Sequence, residues 1–394
     1  MNKKKIAIIH DSMNMGGTEK ALIYMLEGFD YDRYDVTLWL LNNKGPLQDE
    51  IDSRVHVKLY TNETIKASQL LKDYFHQKKF VKGICAVGSK IRSKLNINNF
   101  NKNMIYDIQS LPYIDESVYD TVIVYQGLYI NLLATAVYRF RALNKIAWIH
   151  MRFRHSNDDL HLFGLLYRKM DHIFCVSNDI NKHYLHYYRN FNQESSVLYN
   201  ILSERTIRLL ASEQCTFPED APFILTVGRV APEKGQMLIP EIAEKLRNDG
   251  YLFKWIVVGT GSQFQMLEKE ILERKLESIV ILTGSLKNPY PYYKNCMIYV
   301  QPSYSEGYCT STCEAKIFYK PIVATDVSGM REQITDGVTG LIAEVNACSI
   351  YEKIKQLLDK PDLMSKFSDN IKVENQVTAD VYYKQLYRVL DSKS

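Results

Sequence analysis

Short runs of β-branched and aliphatic residues alternate along this chain with longer segments whose apolar positions recur every three to four residues. The short runs are nearly continuous in apolar character, as expected of strands covered on both faces, and the longer segments have the period of helices packed on one face. In the first half the runs predict strands at Lys5–His10, Tyr34–Leu41, Val55–Tyr60, Thr121–Tyr125, Ile146–His150, His172–Val176 and Val197–Tyr199. The second half starts the pattern again at Phe223–Val227, Phe253–Val258, Ile279–Leu282, Met297–Val300, Ile322–Ala324 and Leu341–Ile342. This alternation predicts an α/β fold of two doubly wound parallel sheets. A length of 394 residues fits two cores rather than one. The boundary is expected where a polar stretch through Pro218 and Asp220 to Pro222 follows the strand ending near Asn200. The expected domains are therefore residues 1–200 and 222–394, joined by a linker over 201–221.

Composition narrows the class. With 46% hydrophobic and 24% charged residues the chain is neither disordered, collagen-like nor a disulfide scaffold. Its seven cysteines contain no C-x-x-C pair, which points away from a disulfide framework or zinc site and toward a reducing cytoplasm. The apolar run behind Lys3–Lys5 is too short for a signal peptide. Residues 121–138 carry no charge, but Gln126, Gly127 and Asn131 interrupt them, so a buried strand followed by a helix is expected rather than a membrane span.

The net charge of +4 matters less than its distribution. Residues 1–200 hold 26 basic against 20 acidic side chains, and residues 51–102 alone hold 11 against three. Within the latter, Leu70, Leu71, Tyr74, Phe75, Val81, Ile84, Val87, Ile91 and Leu95 recur at near-helical spacing, with Lys78, Lys79, Lys82, Lys90, Arg92 and Lys94 between them. Two readings stand: residues 70–102 lie on an anionic membrane surface, or they pack on the first sheet with a solvated basic face. Nucleic acid is not expected as a partner, because no recognised binding module accompanies the patch.

Ligands of open α/β sheets sit beyond the carboxyl ends of the strands, so the segments just after each strand carry the candidate chemistry. His10–Lys20 runs from a strand end through Gly16-Gly17 into a helix, either an anion-binding turn or an ordinary βα connection. Thr226–Gly235 sets Arg229 and Lys234 before a helix, a pair suited to a diphosphate or simply a solvated surface pair. Gly259-Thr260-Gly261 resembles half a dinucleotide fingerprint, but Phe264 stands where the third glycine would fall, which argues against a nicotinamide cofactor. Gln301–Ala315 carries two carboxylates, Glu306 in a loop and Glu314 on the following helix. These suit sugar hydroxyls, with a glycosidase acid–base pair or a capped helix as alternatives. His150 ends an apolar strand, where a structural role competes with a ligand role.

In this order the segments resemble the GT-B retaining glycosyltransferases of family 4, known as group 1. The matching residues are Gly16-Gly17-Thr18-Glu19, His150, Gly228-Arg229 with Glu233-Lys234-Gly235, Gly259-x-Gly261, and the E-x7-E pair Glu306 and Glu314. Lys320–Thr325 and Asp336-Gly337-x-x-Gly340-Leu341 complete the series. The resemblance implies two Rossmann-like domains facing across a cleft, the first binding acceptor and the second a nucleotide sugar, with the terminal helix packing back on the N-terminal domain. It implies that Arg229 and Lys234 hold the donor diphosphate, Glu314 the ribose, and Glu306 with Gly307, Tyr308, Cys309 and Thr310 the transferred sugar. Gly16 and Gly17 would lie near donor phosphate and acceptor, Gly259 beside the donor, and His150 near the reacting centre. The implied chemistry requires no metal, so neither metal nor other cofactor is expected. The implied function is transfer of a hexose or N-acetylhexosamine, most simply from a UDP-linked donor, to a growing capsule, cell-wall or other surface glycan. The enzyme would be cytoplasmic, and seated peripherally on the inner membrane face if its acceptor is lipid-linked. The alternative is a non-catalytic GT-B subunit that docks or chaperones a partner transferase. Two departures bear on the sugar selected: Gly307-Tyr308-Cys309-Thr310 follows the first glutamate where the family has Gly-Phe-Gly or Gly-Phe-Pro, and Ser328-Gly329 replaces a common Gly-Gly.

Overall fold

A computed structural model describes residues 3–42, 45–63, 66, 68, 80–95, 100–153, 156–215, 217, 221–374 and 379–392. The first half runs β1 (Lys4–His10), α1 (Gly17–Glu27), β2 (Tyr34–Leu40), β3 (His56–Leu59), α2 (Phe80–Leu95), α3 (Phe100–Ser110), β4 (Val118–Val124), α4 (Ile130–Arg139), β5 (Arg141–Ile149), α5 (Asn157–Tyr167), β6 (His172–Cys175), α6 (Asn178–Tyr188) and β7 (Glu194–Val197). The second continues with α7 (Glu204–Leu210), β8 (Phe223–Val227), α8 (Ile239–Asn248), β9 (Lys254–Val258), α9 (Phe264–Glu273), β10 (Val280–Gly284), α10 (Tyr290–Asn295), β11 (Ile298–Gln301), α11 (Thr310–Ile317), β12 (Ile322–Thr325), β13 (Leu341–Ala343), α12 (Ala347–Leu358), α13 (Pro361–Glu374) and α14 (Ala379–Leu390).

The strands form two parallel sheets, ordered β3-β2-β1-β4-β5-β6-β7 and β10-β9-β8-β11-β12-β13. This is the pair of Rossmann-like layers expected. In the first sheet the order reverses between β1 and β4, in the second between β8 and β11, so each sheet opens a crevice at the carboxyl ends of its central pair. Apolar runs fill the centre: Ile6–Ile9 and Val122–Val124 are buried, as are Ile224, Leu225 and Ile298–Val300. Around the second sheet, α8 turns Ile239, Ile242, Ala243 and Leu246 inward and α12 turns Ile350, Ile354 and Leu357 inward, leaving Lys245, Arg247 and Lys355 in the last turns. Each such aliphatic side chain contributes about 1.5–3 kcal/mol by leaving water.

The chain divides into two compact units. The first comprises residues 1–15, 22–199 and 382–394; the second comprises 16–21 and 200–381. Residues 382–394 join the first unit through Tyr387, whose ring packs against Phe29 and Tyr34, and through Asp391, which accepts from Lys4 Nζ (2.9 Å), Tyr34 (3.0 Å) and Arg33.

Three details depart from the sequence pattern. β5 begins at Arg141, five residues before its apolar run, because the Val118 end of β4 offers it a ladder although Leu143 stays exposed. β7 is the polar segment Glu194–Val197, tolerable at a sheet edge that needs only the backbone bonds to β6. The stretch 201–221 contains α7, capped by Ser203 and held by Arg208, whose guanidinium donates to the Ile317 carbonyl (2.6 Å) and Tyr319 hydroxyl (2.8 Å). Residues 121–138 form β4 and most of α4, and among the described residues no helix is long and apolar enough to cross a membrane. Of the basic stretch, residues 70–79, with Lys78 and Lys79, lie outside the described residues. α2 is tied to α3 by Lys90–Asp107 (2.7 Å), while Ile84 and Ile91 stay exposed.

Candidate functional site

At the crevice of the second sheet, β8 runs into a loop ending in a tight turn at Pro232–Lys234, and β11 runs into the loop that carries Glu306. Gly235 lets the two loops meet: it is left-handed (φ +69°), and a Cβ there would stand 2.0 Å from the Pro302 carbonyl oxygen. The backbone N–H groups of Tyr304 and Ser305 donate to the Glu233 carbonyl at 2.9 and 3.2 Å. This closure delivers Lys234 Nζ to both oxygens of Glu306, each at 2.8 Å. Burial is the largest single influence and would lower the Lys234 pKa, but the charge and hydrogen bonds of Glu306, with Cys309 and Glu233 nearby, together outweigh it and hold the ammonium above its ordinary value. Glu306 Oε1 also accepts from Ser303 Oγ (2.7 Å). Ser303 Oγ in turn accepts from Gln301 Nε2 (2.9 Å), and Tyr299 donates to Gln301 Oε1. Arg229 is 64% exposed by side chain and pairs with Glu233 at 2.7 Å, so it keeps access to solvent and to an incoming anion.

Glu314 lies on α11, buried at 6% exposure. Tyr290 OH donates to its Oε1 at 3.1 Å and Tyr293 OH to its Oε2 at 2.8 Å. Burial dominates and pushes the carboxyl up to about 7, against the pull of the two phenols and Lys20. Tyr293 stacks on Tyr299 at 5.4 Å, so an unbroken string of polar side chains and rings joins Glu314 to Lys234. At the start of α11, Thr310 Oγ1 accepts from Asn200 Nδ2 at 3.4 Å, and a Cβ at Gly17 would come within 3.2 Å of the same oxygen. Gly259 passes so close to Gly228 that a Cβ would meet its carbonyl oxygen at 2.0 Å. Gly307 is backed by Gly329, and the Gln333 amide clasps Cys309, donating to its carbonyl (3.1 Å) and accepting from its N–H (2.8 Å).

In the first unit the crevice between β1 and β4 holds an aromatic group. Tyr125 lies 4.7 Å from His150 and 6.0 Å from His10, and Trp148 lies 5.9 Å from His150, between ring centroids. Burial lowers the His150 pKa to about 3, with His10 adding to the effect, and lowers that of His10 to about 4. Both imidazoles are neutral at pH 7.

Residues 209–374 match the family of glycosyl transferases group 1. The chain is 28% identical over 238 residues to an uncharacterized glycosyltransferase of Methanocaldococcus jannaschii, a match covering 58% of this chain and 63% of that protein. It is 23% identical to a poly(ribitol-phosphate) alpha-N-acetylglucosaminyltransferase of Staphylococcus aureus, over 81% of this chain and 73% of that one. For several other curated relatives the chain spans only about two fifths of their length, 40% and 43% in two of them. In structure it is similar to Anabaena HepE in complex with UDP, with a TM-score of 0.70 and 14% identity over 99% of this chain and 100% of that one. The architecture is GT-B.

The fold thus brings Lys234 into contact with Glu306, and Glu314 and Thr310 onto one helix, while Arg229 stands at the outer edge. Gly16 and Gly17 group with the second unit, and His150 stands in the first. Sequence reading missed Tyr290, Tyr293, Ser303, Gln301 and Gln333, which hold the two carboxylates and the loop between them. Gln301 and Ser303 stand five and three residues before Glu306 and were legible as local partners; Tyr290, Tyr293 and Gln333 come from separate elements. It also passed over His10 as a partner of His150. Because both histidines titrate below their unfolded value of about 6.5, the unfolded chain binds more protons between that pH and 4, and stability must fall as pH drops through this window. Urea unfolding followed at Trp39 and Trp148 is expected to lose about 2 kcal/mol per histidine between pH 7 and pH 5. His150→Gln should remove about half of that slope; a slope unchanged in this variant would contradict the assignment.

Proposed function

We propose that this chain is a retaining glycosyltransferase that moves a hexose or N-acetylhexosamine from a UDP-linked donor to a growing cell-surface glycan. The observation that carries the reading is the Lys234 ammonium held on the Glu306 carboxylate at the switch point of the second sheet. When the bond from the anomeric carbon to the diphosphate breaks, negative charge develops on the phosphate, and a cation already in place stabilises the transition state by a few kcal/mol. In this reading Lys234 and the exposed Arg229 fill that role without a metal ion. Glu314 accepts from the ribose, and Glu306 with the backbone of residues 307–310 holds the transferred sugar. His150, neutral at pH 7, offers the sugar a hydrogen bond, and Gly16-Gly17 lets phosphate or acceptor approach the backbone. The acceptor hydroxyl enters on the face the diphosphate leaves, so no separate catalytic base is assigned. A surface-polymer acceptor is supported by the S. aureus relative's name, and a lipid-linked one at the membrane by the basic stretch 51–102 and the exposed Ile84 and Ile91.

The test is release of free nucleoside diphosphate from UDP-, GDP- and ADP-sugars, with and without extracted lipid acceptor. Release from one donor by the wild type but not by Lys234→Ala supports the reading. Silence across the panel with no nucleotide bound would instead support a non-catalytic docking subunit.

A further inference from the structure

We infer that Tyr290 and Tyr293 are positioning residues for the nucleoside of the donor, their hydroxyls fixing the Glu314 carboxylate so that its remaining acceptor positions receive the two ribose hydroxyls. The inference rests on the donor reading above and adds two residues of α10 to it.

An ionised carboxylate has about four acceptor positions, two on each oxygen. Tyr290 takes one on Oε1 and Tyr293 one on Oε2, leaving one on each oxygen, the match for a vicinal diol. The phenols are themselves held. Both rings are buried, stacked on each other at 6.2 Å, and Tyr293 is stacked again on Tyr299 and Phe318. The start of α10 is pinned by Asn288, whose Oδ1 accepts from Tyr290 N–H (3.1 Å) while its Nδ2 donates to the Leu210 carbonyl (2.8 Å). The carboxylate therefore cannot turn without losing a buried hydrogen bond to a charged group, one of the stronger kinds.

The surroundings make this orientation sensitive to pH. The titratable groups that face Glu314 are Tyr290 and Tyr293 from α10, Tyr299 from β11, Cys313 on its own helix and Lys20 from residues 16–21. Burial has already brought the carboxyl to about 7, and only the ionised form leaves both oxygens as acceptors for the diol. Ribose hydroxyls thus favour the form that the phenols also favour.

The experiment measures equilibrium binding of UDP, GDP and ADP by the full chain from pH 5.5 to 9. For the nucleotide that binds, its 2′,3′-dideoxy analogue is measured beside it. The analogue shares every phosphate ionisation, so the affinity ratio isolates the ribose hydroxyls. In the wild type the ratio should be flat above about pH 7 and fall about tenfold per unit below it. Tyr293→Phe should move that midpoint up by about one unit, so that ribonucleotide binding at pH 6 weakens about tenfold while binding at pH 9 hardly changes. Tyr290→Phe, which removes the longer bond, should move it less and carries the same test if the other variant fails to fold. Glu314→Gln should make the ratio independent of pH. Phenylalanine variants that fold yet leave the midpoint unmoved, or that lower the ratio equally at every pH, would reduce the tyrosines to packing and overturn the inference. A folded wild type that binds none of the three nucleotides would overturn the donor reading and this inference with it.

Discussion

Lys234→Ala is expected to lower sugar transfer by about 10²–10³-fold, the usual cost of removing one preorganised group aimed at developing charge. The same change acts on stability. It strands Glu306, 6% exposed by side chain, with Ser303 and Gln301 as its remaining donors among the described residues, and breaking such a pair from one side is far more costly than replacing both partners. A loss on the order of 3 kcal/mol follows. Activity and stability are separated by the double variant Lys234→Met with Glu306→Gln, which removes both charges at similar volume. Its melting point should return close to that of the wild type while transfer stays absent. Turnover within a few-fold of wild type in Lys234→Ala would take this lysine out of the reaction.

Gly235→Ala should be nearly as damaging without touching any side chain of the site. A residue with a Cβ pays roughly 1–2 kcal/mol in the left-handed region. The larger effect is the collision with the Pro302 carbonyl oxygen at 2.0 Å, which pushes residues 302–306 away from Lys234. Gly250→Ala is the control: Gly250 is also left-handed, at φ +87°, but nothing lies within 4 Å of its Cβ position. Gly250→Ala is expected to lose only the conformational part, and Gly235→Ala at least twice as much stability together with at least tenfold in transfer. Equal losses in thermal melting would show that the loops do not press on each other as described.

These sites differ in how far the sequence discloses them. The sheets were legible because buried parallel strands need apolar side chains on both faces; Ile6–Ile9 and Ile322–Ala324 admit no other period. The polar edge strand Glu194–Val197 was misplaced by a few residues because only its backbone is required there. The E-x7-E spacing was legible because loop and helix start are adjacent in the chain. The partners of Glu314 were not, since Tyr290 and Tyr293 lie more than 20 residues upstream on a short helix, in a chain with 28 tyrosines, and only folding selects them. The raised pKa of Glu314 was equally hidden, because it arises from burial by side chains that no local motif specifies.

The division of the chain has a consequence for biosynthesis. The first unit is interrupted: its sheet ends with β7, the whole of 200–381 follows, and only then come Tyr387, stacked on Tyr34, and Asp391, joined to Lys4. Domains generally fold as units during synthesis, the N-terminal one first. Here the first seven strands emerge early, yet the groove beside Phe29 and Tyr34 and the cations of Lys4 and Arg33 wait until the ribosome has passed residue 391. Residues 200–381 are an almost continuous segment that can complete itself sooner, so the half of the molecule translated first is the half finished last.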